Sequence, residues 1–373
     1  MIDNGVFLHN GGMRKDNMIY EIIDNEIKKE TFPGIVILVR KKGNIVFQTA
    51  AGKRQIYPAP ENITPNSVFD LASLTKPLAT TITALSVLEK EHISPLLTIG
   101  KFIPDLSKET SDVTLHQLFT HTSGLAPGPE IFRLFQEEDD IDQEKALNHL
   151  FSLTPTIKPG TQVVYSCTGY MLLTQILERI TGGKLPNLFT DLVISPGSIS
   201  GLTFKPRMES DNIVATEYCP WRKRWIKGEV HDENAFCFNG VGGNAGLFGH
   251  ASSVLELLSL FRDGGVLNGI QILSEESVRL MTSNQTPGFS PKRAYGFLMQ
   301  DKGSMAGPDF SPNAFGHTGF TGTSVWIDPD RELEFVILTN RVHFGRNTNS
   351  DKIKSFRKRI HSALVREFSS TRY

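Results

Sequence analysis

The chain reads as an α+β protein, an antiparallel sheet flanked by N- and C-terminal helices with an all-helical region inserted between them. Two observations predict this. Each end carries an amphipathic helix beside a pair of short β-rich runs, whereas the middle is dominated by helical periodicity and Pro/Gly turns. The 373 residues leave room for one large domain or two ordinary ones. The expected division is discontinuous, with residues 1–79 and 221–373 forming the α+β part and residues 80–220 the inserted helical part.

The elements follow in order. From Asp16 to Lys29 the apolar residues Met18, Ile19, Ile22, Ile23 and Ile27 recur at helical spacing, with Asp16 or Asn17 as the cap. Pro33 and Gly34 end that helix, and GIVILVRKKGNIVFQTAAG then predicts a hairpin turning at Lys-Lys-Gly-Asn. The acidic run Glu137 to Asp142 reads as a solvated helix or loop face. Near the other end, TSVWIDPDRELEFVILTN gives two more strands around Asp328-Pro329-Asp330. A last helix is expected from about Lys352 to Phe368, its apolar stripe made by Ile353, Phe356, Ile360, Leu364 and Phe368.

Composition narrows the function classes. Lys plus Arg is 39 against 40 for Asp plus Glu, a net charge of −1, so no nucleic acid or anionic membrane is expected as a partner. The three cysteines, Cys167, Cys219 and Cys237, do not make a disulfide framework and suit a reducing compartment. Charged residues interrupt every apolar run of the N-terminal region before signal-peptide length, and no stretch approaches the roughly 18 residues of a membrane span. The expectation is a cytoplasmic protein without a membrane span.

Chemistry enters at Ser73-Leu74-Thr75-Lys76, a Ser-x-x-Lys pattern before a strongly helical run. Helical spacing puts Lys76 one turn along from Ser73 on the same face. The ring of Pro77 would clash with the carbonyl four residues back, so regular helix begins only after the serine. Ser73 then lies at the start of the helix, beside free backbone N–H groups and the positive end of the dipole, which suits an acyl-transfer nucleophile. The pattern alone is weak. Ser355 and Lys358 repeat it in the C-terminal helix, where Arg357 and Arg359 mark an ordinary charged face.

Four further segments follow the Ser73 segment in a telling order: LHQLFTHTSGL (115–125), PGTQVVYSCTGY (159–170), GVGGNAGLFGHA (240–251) and FGHTGFTGTSVW (315–326). Together with it they resemble the serine β-lactamase and penicillin-binding-protein superfamily, within it the class C-related branch of esterases and D-aminopeptidase-like enzymes. The resemblance covers about residues 65 to 330 and implies a β-lactamase-like fold, with the active site at the junction of the two parts. It implies Ser73 as nucleophile, Lys76 as proton-accepting or field-supplying partner, Tyr165 at the tyrosine motif, and His317-Thr318-Gly319 at the third motif. The oxyanion hole would be the backbone N–H groups of Ser73 and Phe320. A serine hydroxyl needs an adjacent base. Lys76 can be that base only with a lowered pKa, and Tyr165 only if an ammonium stabilises its phenolate, so the choice stays open.

Two departures bear on substrate. The tyrosine motif carries Cys167 where the superfamily usually has Asn, and a thiol is a poor replacement for an amide. We read it as a buried inert thiol in the substrate-binding part of the site, with a thiol made reactive by Lys76 as the alternative. His317 replaces the usual Lys and, with an ordinary pKa near 6.5, offers no permanent charge at neutral pH. Both disfavour carboxylate-bearing β-lactams and D-alanyl peptides, so an ester or small amide is the expected substrate, with D-aminoacyl peptidase or β-lactamase activity as alternatives. A catalytically weak binding or sensor protein on the same scaffold is the alternative of another class. No cofactor and no metal are expected. The run EVHDENAF (229–236) lacks the spacing of a metal site. His121 and Ser123 read as a structural turn, and Gly240, Gly242, Gly243 and Gly246 as a turn lining the cleft. Trp221 and Trp225, around Arg222-Lys223-Arg224, read as a rim loop. Gly-x-Ser-x-Gly is absent, which argues against an α/β-hydrolase.

Overall fold

The structure, a computed structural model, describes residues 17–207 and 212–369. Its first helix, α1 (Asn17–Lys28), begins at the expected place, while the alternative cap Asp16 lies outside the described residues. Strands β1 (Gly34–Lys41) and β2 (Asn44–Gln55) form the expected hairpin. Lys42 and Gly43 both take positive φ (49° and 79°), the conformation that a two-residue turn matching the strand twist requires.

Five more strands complete the main sheet: β3 (Glu61–Asn62), β4 (Leu298–Met299), β5 (Phe315–Thr318), β6 (Ser324–Asp328) and β7 (Leu333–Thr339). Their order is β4-β5-β6-β7-β1-β2-β3, every neighbouring pair antiparallel. The two ends of the chain meet where β1 pairs with β7, from Ile35 opposite Thr339 to Lys41 opposite Leu333.

All of β1 is buried, because its uninterrupted apolar run serves two cores. Ile35, Ile37 and Val39 pack with Ile19 and Ile23 of α1 and with Ile353, Phe356, Ile360 and Leu364 of the C-terminal helix (Ser350–Ser369). Val36 and Leu38 face the other way, into a cluster shared with the helical region. That region contains α2 (Ile82–Lys90), α3 (Gln143–Ser152) and α4 (Cys167–Thr181), and α5 (Ala251–Arg262) covers the same sheet face. The C-terminal helix, α6, completes the set. The helical insertion thus builds one continuous apolar cluster with the sheet.

Of two surface readings, one needs correction. The acidic run is exposed but also paired: Glu137 meets Lys223 at 3.0 Å and Glu138 meets Arg224 at 2.5 Å, while Asp142 caps α3. Arg357, expected on an ordinary charged face, is buried, and its Nη2 donates to the carbonyl oxygens of Gly319 (2.8 Å) and Thr323 (2.9 Å). It therefore ties α6 to the third motif. All three cysteines are free. Among the described residues no helix is long and apolar enough to cross a membrane.

Candidate active site

Ser73 occupies a single 3-10 turn, Ala72–Leu74, followed by a wide π-helical turn, Lys76–Thr81, before α2. Pro77 supplies the reason, since it has no N–H and its ring obstructs a regular α-helical path. Ala72 has φ +47°, a conformation its Cβ resists. Three hydrogen bonds hold it there. Asp70 Oδ1 accepts from the Ala72 N–H (2.8 Å), Thr75 Oγ1 donates to the Ala72 carbonyl (2.6 Å), and the same hydroxyl accepts from the Leu247 N–H (3.1 Å). Such local strain commonly marks a functional position. Ser73 is partly accessible, while Ala72, Leu74, Thr75 and Lys76 are buried.

Lys76 is fully enclosed. Its Nζ donates to Ser73 Oγ (3.1 Å), to the Asn244 carbonyl (2.9 Å) and to Cys167 Sγ (3.4 Å). The Asn244 carbonyl comes from the glycine-rich turn, which Thr80 anchors by donating to the Gly243 carbonyl at 2.6 Å. Gly243 has φ +74°, and a side chain there would collide with Thr174. The Tyr165 ring centre lies 4.9 Å from Lys76 Nζ, and its hydroxyl interacts with Ser73 and Lys76, so the three polar groups form one cluster.

Charge in that cluster is mutual. Burial disfavours the Lys76 ammonium, but Cys167 and then Tyr165 outweigh it and hold the lysine above its ordinary value. Burial also raises the Tyr165 phenol, and Lys76 offsets this only in part. Both groups therefore rest protonated at neutral pH. Cys167 is half-buried rather than buried, and its Sγ accepts from the Lys76 ammonium at 3.4 Å.

Tyr165 directly precedes α4, whose N-cap Ser166 accepts from the Gly169 N–H. The Ser166 N–H donates to His121 Nδ1 at 3.1 Å, and the His121 ring lies 4.7 Å from that of Tyr165. His121, expected to be a simple turn residue, therefore supports the tyrosine. Because its Nδ1 accepts, the ring proton resides on Nε2, which is buried without a partner. Burial, with Arg293 and Lys76 nearby, keeps His121 uncharged.

The third motif ends β5. His317 Nδ1 donates to the Thr318 carbonyl at 2.9 Å, leaving Nε2 bare, buried and unpartnered, and its ring is 5.8 Å from Tyr165. Titration near 6.5 is not what this site allows. Burial first, then Arg293 and Lys76, push His317 well below that value. A Cβ on Gly319 would collide with Thr323 Oγ1 and come within 2.7 Å of the Leu71 carbonyl oxygen, so only glycine lets this turn approach the Ser73 turn. Among the described residues no backbone carbonyl accepts from the Phe320 N–H. Its ring is 48% exposed at the rim, over His231 (5.5 Å) and Arg341 (4.6 Å).

Behind this rim, the EVHDENAF run performs a structural task. The His231 N–H donates to Asp70 Oδ2 (2.6 Å), its ring meets Glu217 (2.8 Å), and Arg346 bonds Glu217 and Glu233. Among the described residues no group of three or more His, Cys, Asp or Glu is placed to hold a metal ion. Trp225 lies 5.7 Å from Tyr57 and 4.8 Å from His343, whereas Trp221 Nε1 donates to the Phe135 carbonyl. Sequence reasoning missed one residue entirely. Arg293 is buried with its Cζ 5.4 Å from the Tyr165 ring centre, and it belongs to no motif that would have drawn attention to it.

Comparison with known proteins bears on the family and the fold. The family model described as Beta-lactamase matches residues 20–357. The chain is 28% identical over 366 residues to an N-acetylmuramyl-L-alanine amidase of Bacillus subtilis, covering 88% of this chain and 82% of that protein. It is 27% identical over 346 residues to a protein of Escherichia coli named as a D-alanyl-D-alanine carboxypeptidase of unproven activity, covering 84% and 79%. Among solved structures, EstCE1, a hydrolase with promiscuous acyltransferase activity, superimposes with a TM-score of 0.70 at 20% identity, covering 93% of this chain and 97% of that one. With the family model spanning nearly the whole described fold, the chain belongs to the beta-lactamase family.

Proposed function

We propose that this protein is a serine hydrolase that carries its acyl intermediate on Ser73 and acts on an ester or small amide, in the manner of a carboxylesterase. The observation that carries the reading is the hydrogen bond from Lys76 Nζ to the Ser73 hydroxyl at 3.1 Å, with the Tyr165 ring centre 4.9 Å from the same ammonium. In this reading the Tyr165 phenolate, held by the Lys76 ammonium, takes the serine proton as the Oγ–C bond forms. The Ser73 and Phe320 N–H groups receive the developing oxyanion. Tyr165 then returns the proton to the leaving oxygen or nitrogen as the old acyl bond breaks, and a water repeats the sequence to free Ser73. Lys76, held as an ammonium, would stabilise the Tyr165 phenolate once the phenol proton has left.

Cys167, His317, Thr318 and Gly319 would face the substrate. The neutral imidazole of His317 and the thiol of Cys167 support an ester or small amide, since neither offers the charge or amide group that β-lactams and D-alanyl peptides exploit. A D-aminoacyl peptidase is the second reading, favoured by the names of the Bacillus and Escherichia relatives. Acid-quenched incubation with nitrophenyl esters, a D-alanyl dipeptide and nitrocefin separates these readings. The ester should turn over fastest and leave its acyl mass on the Ser73 peptide. Faster dipeptide turnover would move the assignment to the peptidase.

A further inference from the structure

Arg293 has a setting unlike that of any structural arginine nearby. Arg357 satisfies two carbonyls with one nitrogen, and Arg222 donates to the carbonyls of Val230 and His231, both at 2.8 Å. Arg293 is only 4% exposed, yet its Nε and Nη1 have no hydrogen-bond partner, and among the described residues it makes no ion pair. Burying an unpaired guanidinium is costly, so the fold tolerates a charge that its own contacts do not justify. What the charge does face is Tyr165. Two cations stand against that ring, Lys76 Nζ at 4.9 Å and Arg293 Cζ at 5.4 Å from its centre.

Most other groups around the tyrosine carry no fixed charge. Ser73 offers a hydroxyl, His121 and His317 are both kept uncharged by burial, and burial pushes the Tyr170 phenol up to about 12; Cys167 is the group that acts on Lys76 from the same side. His317, at the third motif, is buried and neutral and supplies no charge of its own. We propose that Arg293 supplies that missing charge from a different segment, acting as a positioning residue that stabilises the Tyr165 phenolate as acceptor of the Ser73 proton. The inference rests on the acyl-enzyme reading. It explains how a site with a neutral third-motif residue still has two cations at its base, and why the guanidinium is left unpaired: its counter-charge exists only in the reactive state.

The test is the rate of fluorophosphonate labelling at Ser73 measured from about pH 6 to pH 10, the range that spans an ordinary histidine and an ordinary tyrosine. An opposite charge at this range shifts a pKa by about one unit or more, so Arg293→Gln should slow labelling about tenfold at neutral pH and move the alkaline midpoint up by about one unit. Arg293→Lys should keep the midpoint. Adding His317→Lys to Arg293→Gln should bring the midpoint back towards the parent, a rescue that a packing role does not provide. A parental midpoint in Arg293→Gln, whatever its absolute rate, or no rescue by His317→Lys, overturns the proposal. So does a fall in Tm shared by Arg293→Gln and Arg293→Met, because losing an unpaired buried charge should leave the fold as stable or more so. If the parent itself is unlabelled at Ser73, the acyl-enzyme reading falls and takes the inference with it. Labelling with an unmoved midpoint removes the inference alone.

Discussion

Two segments of this chain share the Ser-x-x-Lys spacing, and their surroundings could hardly differ more. Ser355 and Lys358 both lie exposed on the outer face of α6, in regular helix. Ser73 and Lys76 lie in a distorted turn between a left-handed alanine and a proline, with the lysine fully enclosed and the two side chains 3.1 Å apart. What separates them is not the spacing but what converges on it: Tyr165 from the start of α4, the Asn244 carbonyl from the glycine-rich turn, and Gly319 from the end of β5. An ammonium in water is one solvated charge among many. An ammonium sealed against a hydroxyl, a phenol and a thiol acts on all three in surroundings of low dielectric.

Breaking one segment should therefore cost far more than breaking the other. Ser73→Ala should reduce ester turnover by about a thousandfold or more, whereas Ser355→Ala should leave it unchanged, as steady-state assays of the two variants would read. Lys76→Met comes next, with a loss of about a hundredfold to a thousandfold against no measurable loss for Lys358→Met. Tyr165→Phe should cost about a hundredfold and flatten the pH dependence, because it removes the group whose ionisation sets it. In the parent protein the sign of that dependence follows from the raised phenol. The reactive form is the deprotonated one, so acylation should rise with pH above neutrality, with no inflection near 6.5 from the buried His317. A pH profile of single-turnover acylation reads both features.

The smallest effect sharpens the comparison within the active segment. Cys167→Asn should change ester turnover by only about threefold while raising the ratio of nitrocefin to ester turnover, since an amide restores donors and acceptors that a thiol lacks. An unchanged ratio would mean that Cys167 does not limit substrate choice.

Much of this arrangement was legible in the residues. The apolar run from Ile35 to Val39 announced a strand buried on both faces, Pro77 announced the irregular start of the helix after Ser73, and the ordered motifs brought Ser73, Lys76, Tyr165 and His317 to one place. Other contributions had no local signature. Arg293 reaches Tyr165 from a stretch without a motif, and His121 supports it through one backbone N–H that only the folded turn presents. Arg357 resembled its exposed neighbours in sequence but falls on the inward face of α6. The neutrality of His317 arises from burial and two distant cations, neither of which spacing reveals. Periodicity and proline chemistry act on neighbours along the chain, whereas charge in a buried cluster depends on whatever the fold brings there.

The central claim is that one serine of the two Ser-x-x-Lys pairs is a nucleophile. Incubating the folded protein with a fluorophosphonate, digesting it and mapping the adduct by mass spectrometry tests this directly. The account expects a single adduct on Ser73, lost in Lys76→Met and unaffected by Lys358→Met. An adduct on another residue, or none on correctly folded protein, would contradict it.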